Sequence, residues 1–227
     1  MIERPRTKKP ERRPLSRSTK IAISLLVIIL TASVLRAFVC IPYHVNSPAM
    51  QNGLYDGDCI WISKTAYKAS APRVGDLVLF EHPLHPGQKI VRRVIATEGQ
   101  KVEIREKKVY INDSPLAELP TIQHSDYRIL PQGFSPRDNY SAQRVPGGQI
   151  FVMGDNRDQS DDSRNFGFVP VNTVEGKGLF VYFSWKPDPK APKLKSPYIT
   201  PAIHILFYNL VNINNRLRWD RLFISSK

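Results

Sequence analysis

The 227-residue sequence predicts a mainly β protein, with a single N-terminal transmembrane helix followed by an antiparallel β-sheet domain that carries an inserted subdomain. Three observations predict it. An uncharged apolar run follows a basic N-terminal tail. Beyond residue 42, short apolar runs alternate with turn residues. Near 115–145 a polar, proline-containing stretch without periodicity interrupts those runs. The length suffices for one sizeable domain, or for a domain with an insertion.

The tail, 1–20, holds eight basic side chains against Glu3 and Glu11, so a large part of the +13 net charge lies there. Residues 21–35 read IAISLLVIILTASVL, without a charge. Arg36 interrupts and can snorkel to an interface, and the apolar run then continues through Ala37, Phe38 and Val39. An anchor over 21–39 gives about 20 residues, enough for one helical crossing of a bilayer. The basic flank places that end in the cytoplasm and the main domain, 43–227, on the opposite side. A cleaved signal peptide shares the basic and apolar regions. A cut after Ala32 or Ser33 would leave Val34-Leu35 as an apolar stump, which favours an uncleaved anchor. A buried core helix fits the length and the charged flank less well. Membrane lipid is therefore an expected partner. A basic tail also suits nucleic acid, but topology explains it more simply, and no nucleic-acid partner is expected.

Cys59-Ile60-Trp61-Ile62, Leu77-Val78-Leu79-Phe80, Ile90-Val91 with Val94-Ile95, Val102-Glu103-Ile104, Val109-Tyr110-Ile111, Ile150-Phe151-Val152-Met153 and Leu179-Phe180-Val181-Tyr182-Phe183 read as strands. Asp56-Gly57-Asp58, Val74-Gly75-Asp76, Asn112-Asp113 and Pro146-Gly147-Gly148 read as turns. About 106–145 is assigned to the insertion or flap, and 187–201 to a proline-rich linker. The segment 204–224 has apolar residues at roughly helical spacing and fits either a short amphipathic helix or another strand. Cys40 and Cys59 are too few for a disulfide framework. The five histidines are scattered, with neither HxxxH nor CxxC, and no glycine-rich phosphate loop occurs, so neither a metal nor a cofactor is expected.

The densest chemistry lies in Gly154-Asp155-Asn156-Arg157-Asp158-Gln159-Ser160-Asp161-Asp162-Ser163-Arg164, set between two strand-like runs. Such density is costly to bury unless the groups satisfy one another. A solvated acidic turn is the plain reading of the composition alone. The order of residues, however, resembles the most diagnostic motif of the bacterial type I signal peptidases, the Ser–Lys leader peptidases of membranes. Leu35-Arg36-Ala37-Phe38-Val39 with Ile41-Pro42 resembles that family's entry to its first strand. Gly75-Asp76-Leu77-Val78-Leu79-Phe80, Lys108-Val109-Tyr110-Ile111-Asn112, Ser184-Trp185 and the tail Arg216-Leu217-Arg218-Trp219-Asp220-Arg221 match further family segments in the same order. The resemblance implies a mostly antiparallel β domain on the outer membrane face that cleaves signal peptides from secreted precursors.

In that family a serine hydroxyl attacks the scissile carbonyl, and a lysine kept neutral by burial takes its proton. The serine sits in Ser-Gly-Ser-Met-x-Pro-Thr-Leu. Here the segment reads Ser47-Pro48-Ala49-Met50-Gln51-Asn52-Gly53-Leu54, which puts Ala49 at the nucleophile position and Ser47 on the earlier serine that helps form the oxyanion hole. The same alignment implies Met50 and Leu54 as groove residues. The lysine begins a Lys-Arg pair, and here Ile90-Val91-Arg92-Arg93 puts Arg92 at that position. Arginine stays protonated and cannot act as the base. Lys89 lies at an odd offset, on the opposite face of a strand. The resemblance implies that Asp155, Arg157, Asp158, Asp162 and Arg164 interlock as charge-assisted pairs supporting the site. Ser160 is implied as the hydroxyl that orients the lysine amine. A buried Arg92 should therefore contact Ser160 or a nearby carboxylate.

These substitutions predict a degenerate member of the family, a pseudopeptidase in the bacterial inner (plasma) membrane. It would bind signal-peptide-bearing precursors or secretion machinery by strand addition without cutting them. Two alternatives differ in class. One is an active peptidase using a displaced Ser47 with His44 or Lys89 as base, although Pro48 holds Ser47 extended and a two-residue shift moves the hydroxyl by about 6–7 Å. The other is a structural subunit of an export complex. The Pro-Thr pair has become Asn52-Gly53 as well, which fits drift better than a designed serine-to-alanine trap.

Overall fold

The computed structural model describes residues 16–38, 40–192 and 199–225. Most of the tail 1–20 and residues 193–198 of the expected linker lie outside them. The chain divides into two units, Met1–Phe38 and Val39–Lys227.

Among its described residues the first unit contains one helix, α1 (Arg17–Phe38), which no proline or glycine interrupts. The expected transmembrane anchor over 21–39 is not supported as a span. Among the described residues no helix is long and apolar enough to cross a membrane.

In the second unit all the described strands pair antiparallel, and an isolated parallel bridge joins Gln123 to Asn156. Its strands are β1 (Cys40–His44), β2 (Asp58–Ser63), β3 (Leu77–Glu81), β4 (Lys89–Thr97), β5 (Lys101–Arg105), β6 (Lys108–Ile111), β7 (Ser114–Pro115), β8 (Tyr140–Arg144), β9 (Gln149–Met153), β10 (Val169–Pro170) and β11 (Val174–Ser184). A seven-stranded sheet runs β1-β2-β11-β3-β4-β9-β10, and a four-stranded sheet runs β7-β6-β5-β8. The small sheet holds the tract that reads as an insertion, beginning slightly earlier in the chain. Ile90-Val91 and Val94-Ile95 are halves of the single strand β4, which continues through Arg92 and Arg93. β7, β8 and β10 escape a hydrophobic reading because they are short or carry exposed polar residues.

β4 sets up the site. Seven of its nine residues, Ile90 through Ala96, are buried on both faces, because separate core clusters flank it. Val91 packs with Met50, Leu54, Ile60, Leu77 and Val181, while Ile90 and Val94 pack with Phe80, Ile150 and Val152. Arg92 and Arg93 therefore project to opposite sides of a central strand and must find polar partners inside the protein.

The C-terminal segment resolves the helix-or-strand ambiguity in favour of both. α2 (Ser163–Phe166) follows the acidic run, whereas α3 (Ile199–Val211) and α4 (Ile213–Arg216) cover the helically spaced part of 204–224. The chain then returns to β11 through single bridges, Trp185 to Leu217 and Phe180 to Ser225.

Candidate active site

A cleft of about 720 Å³ is lined by Tyr43 through Met50, by His82, His85 and residues 87–92, and by Gln159 and Asp161. Its floor is a single 3-10 turn, Pro48–Met50. Ser47 caps the turn from an extended conformation, and its Oγ accepts the Ala49 N–H at 3.2 Å. Pro48 needs no such partner and its fixed φ suits the first position. Ala49 and Met50 are each only 2% exposed. Leu54 packs in the core cluster, to which Met50 also belongs; Met50 reaches the cleft and Leu54 does not.

The acidic run holds this turn from behind. The Asn156 N–H donates to the Ala49 carbonyl at 3.0 Å, and Asn156 Nδ2 donates to the Pro48 carbonyl at 3.2 Å. Gly154 permits the approach: a Cβ there would overlap both the Ala49 carbonyl oxygen and Ser160 Oγ.

Arg92 lies in the cleft wall and is 5% exposed. Its Nε and Nη2 donate to the Asp161 carbonyl at 2.9 and 2.7 Å, and Nη1 donates to the Val91 carbonyl at 2.7 Å. The expected contact to Ser160 or a carboxylate is thus replaced by carbonyl oxygens. The Asp161 carboxylate is turned away, accepting from His82 Nε2 at 3.0 Å and from Asn165 Nδ2 at 3.0 Å. Burial drives the Arg92 pKa down, against the opposing charges of Asp162 and Asp161, yet a guanidinium keeps its proton. Lys89 points outward instead and pairs with Glu175 at 2.7 Å. Ser160 Oγ is buried and makes no hydrogen bond of good geometry, although it lies close enough to help hold the Asp162 carboxyl down.

The charged residues of 154–164 pair mostly outside the run. Only Asp162 and Arg164 form a pair within it, with Arg164 Nε and Nη2 at 2.8 and 2.7 Å from the two carboxylate oxygens. Asp155 takes Arg93 Nε and Nη2 at 2.8 and 2.7 Å. Arg157 pairs with Glu118, and Asp158 pairs with Lys107 at 2.6 Å. Glu118 and Lys107 came to no notice in the sequence. Arg93 alone had a signal there, as the second member of the Arg92-Arg93 pair.

Burial works against ionisation of Asp162, but Arg164 and the Gly154 N–H outweigh it and its pKa falls. Asp158 is likewise lowered, Lys107 and the Asp126 N–H outweighing burial. In Asp138 burial is outweighed by Arg137, the Leu130 N–H and Lys107, which bring the carboxyl to about 2. Carboxyls depressed on folding add stability that is complete above their unfolded pKa, near 4, and lost as pH falls through the folded value. The melting temperature should therefore hold steady from about pH 7 to 5 and drop steeply between about pH 4 and 2. Thermal unfolding across that series checks it, and a flat profile below pH 4 would refute it.

His82, His85 and Asp161 bring ligand-type atoms within 4.8 Å of one another, a meeting of distant segments that sequence spacing does not reveal. His82 Nδ1 accepts the Leu84 N–H at 3.1 Å. That leaves the His82 proton on Nε2, where it is given to Asp161. In this arrangement the group is a hydrogen-bonded pair beside His85, with no free Nε2 lone pair for a metal.

The loop after the 3-10 turn is pinned by the C-terminus. Asp58, fully buried, accepts from Arg221 Nη2 at 2.7 Å and from Ser184 Oγ at 2.5 Å, and Arg221 Nη2 also reaches the Gly53 carbonyl at 2.8 Å. Arg216 stacks over Trp185, 4.7 Å from the ring centre. The basic tail is thus a clamp on the segment that carries Ala49.

Comparison with known proteins agrees with this architecture. The family described as signal peptidase, peptidase S26, matches residues 18–185. A probable signal peptidase I-1 of Synechocystis sp. is 38% identical over 166 residues, covering 70% of this chain and 79% of the relative. Signal peptidase I of Aquifex aeolicus is 30% identical over 241 residues, covering 84% and 93%. Signal peptidase I T of Bacillus subtilis is 31% identical over 163 residues, covering 70% and 82%. With a family match over most of its length and a mainly antiparallel fold that sets Ser47 through Met50, Arg92 and Asp161 around one cleft, this chain belongs to the signal peptidase family, peptidase S26.

Proposed function

We propose that this chain is a membrane-anchored, non-cleaving member of the family that holds signal-peptide-bearing precursors in its cleft. Family membership supports signal peptides as the ligand class. The observation that carries the absence of cleavage is Ala49 on the cleft floor beside a buried Arg92. An alanine methyl cannot attack a carbonyl, and a charged guanidinium cannot take a proton. Ser47 is a poor replacement, since its Oγ is spent on capping the turn and Pro48 restrains it. Anchoring in the plasma membrane is supported by the uncharged sequence 21–35 and the basic tail.

The purified full-length chain is expected to bind a precursor and leave it intact in a gel or mass-spectrometric assay, and to stay with membranes after alkaline washing. Cleavage that disappears on Ser47→Ala would overturn the reading in favour of a displaced nucleophile. Release by the wash would remove the anchor.

A further inference from the structure

We propose that the cleft receives a peptide by its free C-terminal carboxylate, with Arg92 as the receiving group; this rests on the cleft being a peptide site, as above. Arg92 is a buried cation whose hydrogen bonds all go to carbonyl oxygens. Among the described residues no carboxylate forms an ion pair with it. The two nearest acids are committed elsewhere, Asp161 to His82 and Asn165, and Asp162 to Arg164. Buried charges are costly unless paired, and Arg92 is compensated only through space by Asp162 and Asp161, with no anion bonded to its own donors.

The donors left over suit a carboxylate. A guanidinium has five N–H groups. Nε uses its one, while Nη1 and Nη2 each use one on protein carbonyls. One N–H therefore remains on each terminal nitrogen, and the two oxygens of a carboxylate can accept from both. The wall agrees in charge. Among the described residues Arg92 is the one lining cation without an ion-pair partner, Lys89 being paired with Glu175, and Asp161 is the one acidic lining residue, with His44, His82 and His85 beside them. A scissile amide offers such a wall a neutral carbonyl acceptor, whereas a chain end adds a full negative charge. Ala49, with a methyl in place of a hydroxyl, leaves no nucleophile to react with that end. A released signal peptide and the C-terminus of a whole protein share this chemistry.

The test uses the full chain in detergent and a short fluorescent peptide copying the C-terminal end of a signal peptide, as free acid and as C-terminal amide. A scrambled free acid forms a third arm. Anisotropy titration should show the acid binding at least about tenfold tighter than the amide. Arg92→Gln should bring that ratio to about one, and Arg92→Lys, a point charge without the fork, should leave it in between. A thermal melt establishes that each variant is folded, and the acid-to-amide ratio of the unaltered chain needs no variant. Equal binding of acid and amide overturns the carboxylate site and leaves the peptide cleft standing. Failure of both to bind overturns the two together. A scrambled acid that binds as well as the signal sequence identifies chain ends in general as the ligand, and one that does not identifies the released signal peptide.

Discussion

Ala49→Ser combined with Arg92→Lys is expected to give this chain signal-peptide cleavage at least about a hundredfold above its own background, the low end of what a positioned general base contributes. Either change alone should stay at background. A serine without a base is not activated, a base without a nucleophile has nothing to activate, and members of such a unit fail together. The scaffold around the two positions argues for recovery. The turn bearing Ala49 is still held by Asn156 and by the close approach of Gly154. Ser47 still caps that turn. Ser160 Oγ is buried beside the site without a hydrogen bond of good geometry, and a lysine amine at 92 would supply one. The same burial that pushes Arg92 downward would act on a lysine, whose ordinary pKa of about 10.4 then moves toward the working range of a base. A time course of precursor cleavage, with both single variants alongside, decides it. A double variant that binds precursor and still fails to cut would show that the cleft has decayed beyond its two missing groups.

The extent to which this outcome could be read from sequence differs between strands and site. Alternation and turn residues are local signals, so β2, β3, β5, β6, β9 and β11 were all legible as runs. Ala49 was placed by Met50, Leu54 and the Gly57-Asp58 turn, which fix the register of its segment without a gap, and Arg92 by the basic pair it forms with Arg93; the structure sets both on the cleft. What supports them was not. Arg157 meets Glu118 and Asp158 meets Lys107 only after the small sheet and the segment following it fold over the acidic run. Nothing in local periodicity chooses between partners 39 and 51 positions away. His82 with Asp161 and Arg221 with Asp58 are hidden for the same reason. The contact of Arg92 was misjudged differently. Sequence order puts Ser160 and the carboxylates nearby, but a backbone carbonyl that faces the cleft is a donor's partner that no side-chain motif encodes.

Arg93→Leu is expected to be the most damaging single change to stability, costing about 3–5 kcal/mol, the range for leaving one charge of a buried pair unpaired. Arg93 is 4% exposed, Asp155 is fully buried, and the two meet through both carboxylate oxygens. Without Arg93 the carboxylate would have little room to turn toward water, since a Cβ at Gly53 would already overlap it. That crowding gives a reason for glycine at position 53: the loop passes directly over the Asp155 side chain. Asp155 also fixes the extended segment, its carbonyl accepting the Gln123 N–H at 2.9 Å. The Gln123 carbonyl in turn accepts the Arg157 N–H at 2.9 Å. Urea unfolding should show a lower midpoint with little change in slope. Arg93→Lys should lose part of the effect, keeping charge without the two-pronged geometry. Arg93→Leu with Asp155→Leu should cost less than the two single losses added together, because it is the orphaned charge, more than the missing attraction, that destabilises. A midpoint shift worth under about 0.5 kcal/mol for Arg93→Leu, typical of surface changes, would mean that Asp155 finds another cation or a proton, and that the acidic run is held in place by its remaining pairs alone.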